Sequence, residues 1–487
     1  LVDIKLYPRG FIFSKQKLEK IPEHFKHKVI NDYNYYYDNT SMNKTFKCDY
    51  GFIIIHGDFL YAGINQQFNQ KELLENLMKL YTENYNEFLN LLDYITGRYT
   101  IIISLYDDVH VYTDATNTRS TYYVLNKLVV SSHVNLIIDN FDFSHSGISY
   151  ALSNGLYYTK YNEVRSTIAN FSLNLNTNKY TRIFPREKNR FLGLSDTKKF
   201  EIYEKISSQI FNNIINNYDI KLLSLSGGGD SRFSLALSKD FKEQILYFTY
   251  ITNPNNDQSN PVKREAHKDF TIVNQIVENL DFEHKYCYLH EIKNSFSKKE
   301  DTIIRKNTVA PHSMFLINLS KKYLNYNNKT VHIRSNLYEI GQASTYKKRY
   351  RESNLDQLKL TFDRRYKGFL KENDNLEEYD RLYEKFIEDL NYEDDIYGYH
   401  LLDLYVWEIR ASRWHSEILN THDVCFETLS PFNHRILLEI ALSFDYNQRK
   451  SGYMFQELIN RNWSVLNFFG DNNVNNMYEQ LRDINKN

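Results

Sequence analysis

The sequence predicts an α/β protein in two parts, an α+β region over residues 1–190 and a parallel sheet with crossover helices over residues 198–487. Short β-branched runs between polar turns dominate the first part. In the second, short apolar strands alternate with helical periodicity, the pattern of βαβ units. A third observation is the triplet Gly227-Gly228-Gly229 in a chain with only 16 glycines among 487 residues. That is about 3%, against a usual value of roughly 7%, so glycines placed together have a local purpose.

Phe52-Ile53-Ile54-Ile55, Tyr99–Tyr106 and Leu128–Ser131 read as strands. Between the first two, Leu73, Leu74, Leu77, Leu80 and Tyr81, then Phe88, Leu91 and Leu92, recur at three- and four-residue spacing and predict amphipathic helices. Tyr203, Ile206, Ile210 and Ile214 mark one helix face, followed by a buried strand at Lys221–Ser226. A helix carrying Phe233, Ala236, Leu237 and Phe241, a strand at Ile245–Ile251 and a helix at Phe270–Leu280 come next. Residues 300–470 read as mostly helical, broken by a strand at Thr330–Arg334.

Composition narrows the class. The 60 Lys and Arg against 61 Asp and Glu give a net charge of −1, which argues against a dedicated nucleic-acid or anionic-membrane binder. Few Gly and only 7 Pro exclude collagen-like and linker-like chains. The longest apolar runs, Gly51–Ile55 and Tyr99–Leu105, fall far short of the roughly 18–20 residues of a membrane helix. The opening Leu1-Val2-Asp3 has no basic-then-apolar segment, so no secretory signal is read. Cys48, Cys287 and Cys425 have no short spacing and read as buried thiols, which fits a reduced, cytoplasmic location. Two charge blocks, Lys347-Lys348-Arg349 with Arg351 and the acidic stretch Glu372–Asp395, read as solvated faces; the basic one could alternatively face an anionic substrate. The Asn-rich last twenty residues read as a frayed end.

The chemistry concentrates at Ser224-Leu225-Ser226-Gly227-Gly228-Gly229-Asp230-Ser231-Arg232, between a strand and a helix. A turn there aims backbone N–H groups and the positive end of a helix dipole at one small space, an anion site. Glycine lets the backbone approach an anion without a Cβ in the way. Ser226 and Ser231 add hydroxyl donors, and Asp230 adds a carboxylate able to hold Mg²⁺ beside phosphate oxygens. No Gly-Lys-Ser/Thr follows and the spacing is not G-x-G-x-x-G, so neither a Walker A loop nor a Rossmann fingerprint is present.

Ser226–Ser231 resembles the SGGxDS pyrophosphate loop of the ATP pyrophosphatase (PP-loop) superfamily. Gly97-Arg98-Tyr99 through Ile103, Thr113-Asp114-Ala115-Thr116, Thr121-Tyr122-Tyr123 and Val130-Ser131-Ser132-His133 resemble the back half of the amidotransferase domain of asparagine synthetases. Ser430-Pro431-Phe432-Asn433-His434-Arg435 is similar to that family's R-x-PFLDH segment, with Asn433 in place of Asp. The resemblance implies an Ntn-type α+β sandwich over 1–190, like a glutamine amidotransferase domain. It also implies an adenine-nucleotide alpha-hydrolase-like domain with added C-terminal helices over 198–487. Leu225, Ser226, Gly227, Gly228, Gly229, Asp230 and Ser231 would then bind ATP. The family's second loop, SGEGxDE, aligns with Arg334-Ser335-Asn336-Leu337-Tyr338-Glu339-Ile340-Gly341, without its glycines. Arg334, Ser335 and Asn336 would line the ATP site, and Glu339 would join Asp230 as a Mg²⁺ ligand; the alternative makes Glu339 an ordinary partner of a basic residue.

The family's glutaminase needs an N-terminal Cys, whereas this sequence opens on Leu1, and Ile4–Tyr7 is a weak match to the family's first strand. Either a Cys precedes Leu1, or the domain is a retained scaffold as in β-lactam synthetases and lasso-peptide cyclases; the second reading is preferred. Cys48 reads as structural. His415-Ser416-Glu417 has an H-x-E look without a following Pro-Cys-x-x-Cys and reads as a helix-surface pair. Trp407, Arg410, Arg413 and Trp414 read as one helix face, with the two arginines as alternative contacts to a carboxylate or phosphate. Arg449 and Lys450 are further candidates for a cation near the α-phosphate.

The expectation is an ATP-dependent, AMP-forming amide ligase resembling asparagine synthetase. Its substrate would be aspartate, as in asparagine biosynthesis, or another small-molecule or peptide carboxylate; ammonia or an amine would supply the nitrogen. An intramolecular cyclase and a non-catalytic nucleotide binder are the alternatives. Neither nucleic acid nor membrane is an expected partner, and a homodimer is left open.

Overall fold

The computed structural model describes residues 4–64, 67–147, 155–252, 261–292, 296–309, 314–366, 376–472 and 476, side chains of 261–266 excepted. Leu1-Val2-Asp3, the start of the acidic block and most of the last twenty residues therefore lie outside the described residues.

Alternating side chains build the first region as layers. Its strands are β1 (Phe11–Ser14), β2 (Phe25–Ile30), β3 (Tyr33–Asp38), β4 (Asn43–Cys48), β5 (Gly51–Tyr61), β6 (Ile95–Leu105), β7 (Asp108–Thr113), β8 (Tyr122–Val124), β9 (Val129–Ser131), β10 (Val164–Ser166), β11 (Phe171–Asn174) and β12 (Lys179–Arg182). They form two six-stranded antiparallel sheets, ordered β10-β8-β9-β1-β3-β2 and β12-β11-β7-β6-β5-β4. Phe52 and Ile54 of β5 face the other sheet, where the Phe52 ring meets Tyr33 at 5.6 Å and Phe13 at 6.1 Å. Ile53 and Ile55 point the opposite way and pack with Leu73, Leu77, Phe88 and Leu92 of helices α1 (Gln70–Glu83) and α2 (Tyr85–Asp93). One residue of slip would exchange the two faces, so the pattern pins the register. Helix α3 (Val134–Asn140) covers the outer face of the other sheet through Val134, Leu136 and Ile137, completing a helix, sheet, sheet, helix sandwich. The expected helix start before Leu73 is fixed by Asn69: its side chain accepts from the Glu72 N–H while Glu72 accepts from Asn69 N–H, a reciprocal cap.

The second region begins with α4 (Asp196–Asn217), capped by Ser195. It continues through β13 (Ile220–Ser224), α5 (Gly229–Leu237), β14 (Leu246–Ile251), α6 (Pro261–Asn279), β15 (His284–Tyr288), β16 (Thr330–Ile333) and β17 (Glu427–Leu429). The strands form one parallel sheet in the order β15-β14-β13-β16-β17. Leu222 and Phe248 face one layer with Ile304, Leu316 and Leu319; Leu223, Tyr247 and Val331 face the other with Phe233, Val273 and Ile276. The fold class is thus α/β, an antiparallel αββα sandwich followed by a parallel sheet covered on both faces. The chain leaves β13 toward β14 and β15, then returns to the other side for β16 and β17. Crevices for ligands open at such a reversal, outside the carboxyl ends of the strands.

The two regions share a buried ion cluster. Arg98 of β6 donates to both oxygens of Asp423, to Glu427 Oε1 (3.0 Å) and to Asn420 Oδ1 (3.0 Å). Arg119 donates to Asp423 Oδ2 (2.9 Å) and Glu427 Oε2 (2.8 Å), while Arg9 stands 3.9 Å from Glu427 Oε2. The Arg119, Arg98 and Arg9 charges outweigh burial and hold the Glu427 carboxyl well below its ordinary range.

Several expectations change. The first strand is β1, and Ile4–Tyr7 is not part of a strand. Phe241 falls in a 3₁₀ turn, Lys239–Gln244, rather than in α5. Strands β15 and β17 were not expected. Tyr405–His415 is wound as a π-helix, so Trp407, Arg410, Arg413 and Trp414 do not share one face: Trp407 is fully buried with Nε1 on the Ala115 carbonyl (2.7 Å), and Trp414 is 37% exposed. Arg413 is buried and donates to the carbonyls of Leu156 and Tyr158. His415 and Glu417 are buried, not on the surface; Glu417 accepts from Tyr122 and from Thr308 Oγ1 (2.9 Å), which satisfies its charge inside the protein. Among the described residues no group of three or more His, Cys, Asp or Glu is placed to hold a metal ion. Cys48 is half-buried, while Cys287 and Cys425 are buried. No helix among the described residues is long and apolar enough to cross a membrane.

Candidate active site

Strands β13 and β16 pair in register with Leu223 opposite Ile333, so the chain after each emerges at the same place. There lies a cavity of about 420 Å³. The β13 side contributes Leu225, Ser226, Gly228, Gly229, Asp230 and Ser231, and the β16 side Arg334, Ser335 and Asn336. A 2.7 Å hydrogen bond from Ser335 to Ser234, and one of 3.2 Å from Gln342 Nε2 to Asp230 Oδ1, join the two sides.

Helix α5 enters the cavity without a side-chain cap. Its N-cap is Gly228, whereas α1, α2 and α4 are capped by Asn69, Asn84 and Ser195. Its first N–H groups and dipole are therefore left for a ligand. The turn is held by Ser231 Oγ, which accepts from Ser226 N–H (3.0 Å) and lies 3.0 Å from Ser226 Oγ. The three glycines differ in use. A Cβ on Gly228 or Gly229 would meet no backbone within 4 Å, only Ser226 Oγ at 3.4 Å and Asp471 Oδ2 at 3.6 Å, so what stands beside these two glycines is side chain. A Cβ on Gly227 would stand 2.6 Å from Asp269 Oδ1 and 2.7 Å from Asn472 Oδ1, so what approaches this glycine is protein.

Charge in the cavity is separated. Burial and the neighbouring Glu339 raise the Asp230 carboxyl to about 6 from its usual 3.8; Asp471 adds to this, while the Gln342 hydrogen bond and Lys347 oppose it. Glu339 lies in the turn Tyr338–Gln342, beyond the cavity lining but near enough to repel Asp230. Opposite stands Arg334, which has no carboxylate within ion-pair distance among the described residues; its Nη1 reaches only His422 Nδ1, at 3.5 Å. Burial lowers the Arg334 guanidinium below its usual range. Burial also holds His332 near 3 and His422 well below its ordinary value, so both neighbours are neutral.

The loop after β16 keeps a left-handed turn without glycine. Leu337 has φ +79°. An L-residue there costs about 1–2 kcal/mol, while burying a leucine contributes about 1.5–3 kcal/mol. Leu337 is 1% exposed, so its burial offsets the strain.

Asn433 lies away from the cavity. Its Nδ2 donates to the Gly97 carbonyl (2.6 Å), Asp114 Oδ1 (2.8 Å) and Thr118 Oγ1 (3.1 Å), and its Oδ1 accepts from Thr116 (2.8 Å). A carboxylate in its place would face Asp114, which explains the amide. Arg449 is bound to Asp403 (2.6 Å) and to the Gly341 carbonyl, so it is a brace beneath the second loop and not a free cation. Lys347, Lys348 and Arg349 are exposed, as expected of a solvated block. Sequence reasoning missed Asp269, Gln342 and Asn472, all at the cavity.

No family model matches the sequence, and no curated protein does. Among solved structures the chain is similar to glutamine phosphoribosylpyrophosphate amidotransferase from B. subtilis complexed with ADP and GMP, at 10% identity over 45% of this chain and 54% of that one, with a TM-score of 0.22. It thus spans about half of that protein's length. NMN synthetase from Francisella tularensis matches at 16% identity over 46% and 96%, TM-score 0.21. Glutamine-dependent NAD+ synthetase from Acinetobacter baumannii, in complex with adenosine diphosphate, matches at 12% over 56% and 66%, TM-score 0.20.

Proposed function

We propose that the protein is an ATP-dependent, AMP-forming amide ligase whose chemistry takes place in the cavity between β13 and β16. The observation that carries this reading is the pairing, across one crevice, of an uncapped helix N-terminus with a half-buried arginine that has no carboxylate partner among the described residues. Both favour a polyanion, and together they span a group with several phosphates.

The backbone N–H groups of Gly228 and Gly229 and the hydroxyls of Ser226 and Ser231 hold the β- and γ-phosphates. Arg334 offsets charge on the phosphate chain. A substrate carboxylate oxygen attacks the α-phosphorus; the α–β bond breaks and pyrophosphate departs with the bonding pair. Ammonia or an amine then attacks the acyl carbon, AMP leaves, and the nitrogen loses a proton. Asp230 and Glu339 fit a hard divalent cation such as Mg²⁺, because two mutually repelling carboxylates offer oxygen donors that a cation would relieve. When bound, that ion would neutralise phosphate oxygens.

Residues 1–190 act in this reading as a scaffold, and the nitrogen is ammonia or a substrate amine. In support, the residue pair that enters β1 is Arg9-Gly10, with Arg9 held by Glu427. Cys287 and Cys425 are pushed up to about 12 and 11 by burial and stay protonated. Aspartate is one candidate acid, and sugar or peptide acids are others.

Pyrophosphate release with a panel of acids, each with ammonium or glutamine, tests the proposal. Ammonium should support turnover and glutamine should not; Asp230→Ala should reduce release at least about 100-fold, the scale of a lost transition-state stabiliser. No ATP turnover with any acid would sink the ligase and leave a nucleotide-binding member.

A further inference from the structure

The glycine loop is already bound to one carboxyl group of the protein and has another beside it. Asp269 Oδ1 accepts the Gly227 N–H at 2.8 Å, and the Asn472 N–H donates to the Gly227 carbonyl at 3.1 Å. Asn472 Nδ2 donates to the same Asp269 oxygen at 2.8 Å, tying α6 to the segment Phe469–Asn472. Arg232 anchors the start of that segment through the carbonyls of Phe469 (2.8 Å) and Gly470, and Lys268 Nζ holds the Asn472 carbonyl at 2.7 Å. Between these anchors, Asp471 Oδ2 sits 3.6 Å from where a Cβ on Gly229 would stand. Its charge is felt by both Asp230 and Arg232.

Asp269 takes the Gly227 N–H, and the Asp471 carboxylate lies beside Gly229, where a phosphate oxygen would also be drawn, since both are anionic acceptors for N–H donors. Like charges a few ångströms apart in a partly buried site repel, so a phosphate and Asp471 compete for the loop. We propose that Phe469–Asn472 is an acidic strap across the glycine loop, and that a phosphate-bearing ligand engages the loop only as the strap lifts. This rests on the nucleotide reading above. Binding and strap release then form one equilibrium, and apparent affinity falls by the fraction of molecules with the strap off. Lifting the strap also frees two donors of Arg232.

Inorganic pyrophosphate is the probe, titrated by calorimetry into the intact chain, Asp471→Asn and a chain ending at Phe468, each checked for fold by circular dichroism. Removing part or all of the competing strap should tighten binding by about 3-fold for Asp471→Asn and about 10-fold for the shortened chain. Hydrogen exchange at the Asn472 amide of the intact chain should quicken when pyrophosphate saturates. Equal affinity in all three with an unchanged Asn472 amide overturns the strap and leaves the nucleotide site standing. Pyrophosphate that binds none of the three overturns both. If the shortened chain does not fold, Asp471→Asn and the exchange measurement decide.

Discussion

Two charge clusters among the described residues, one buried and one half-buried, are built on opposite plans. Beneath the junction of the two regions, Arg9, Arg98 and Arg119 meet Asp423 and Glu427 in a net of bidentate contacts, with Asn420 taking a further donor. In the crevice, Asp230 is crowded by Glu339 and Asp471, while Arg334 on the other wall faces two neutral histidines. Dense mutual pairing is what a structural cluster needs, because a lone buried charge is expensive. Incomplete pairing persists where a ligand supplies what is missing.

Removing one member separates the plans most sharply. Arg98→Ala should destabilise the fold by about 3–5 kcal/mol, the cost of removing one cation from a buried ion network, read from chemical denaturation. Asn433→Asp sets a carboxylate against Asp114 and should cost about 2–3 kcal/mol in the same assay, with Asn433→Ala milder than Asn433→Asp if repulsion is the cause. Arg334→Met should leave stability unchanged or raised but weaken ATP binding about 10–100-fold, or roughly 1.4–2.8 kcal/mol. A stability loss as large as that of Arg98→Ala would erase the distinction between the clusters. The smallest effect concerns pH. Asp230 keeps its proton to about 6 in the folded chain, so cation-dependent pyrophosphate release should rise as pH passes through 6. The folded state also binds that proton more tightly than the unfolded chain, so this group lowers stability as pH climbs from about 4 to 6. Glu339→Gln should move the limb toward the ordinary carboxylate range by up to about one unit, worth about 1.4 kcal/mol. An unmoved limb would mean that burial alone raises Asp230.

Much of the layering could be read in advance, because β5 and β6 carry apolar residues on both faces and α1 and α4 repeat theirs at helical spacing. β15 escaped because His284-Lys285-Tyr286 reads as polar edge, and β17 because three residues, one of them Glu427, carry no period. The π-helix defeats a 3.6-residue reading at Trp407 and Arg413 for a geometric reason: it has more residues per turn. Burial of His415 and Glu417 depends on Tyr122 and Thr308, partners far away in sequence. At the crevice, the glycine loop stood out by composition, and Arg334, Ser335 and Asn336 by their place after a strand. Asp269 carried a weaker signal, a carboxylate beside Phe270, Ile272 and Val273 on a packed helix. Asn472 carried none, since asparagine is abundant throughout the chain.

The guanidinium groups under the junction bear on how the chain can be divided. Shortening it to the parallel-sheet portion, where the chemistry is proposed to reside, would strip Asp423 and Glu427 of all three arginines at once. Whatever the first region does, the parallel-sheet portion depends on it, because Glu427 of β17, at the sheet edge, is met by cations that the first region provides. A gene split near residue 190 should therefore yield two products that fold only on meeting.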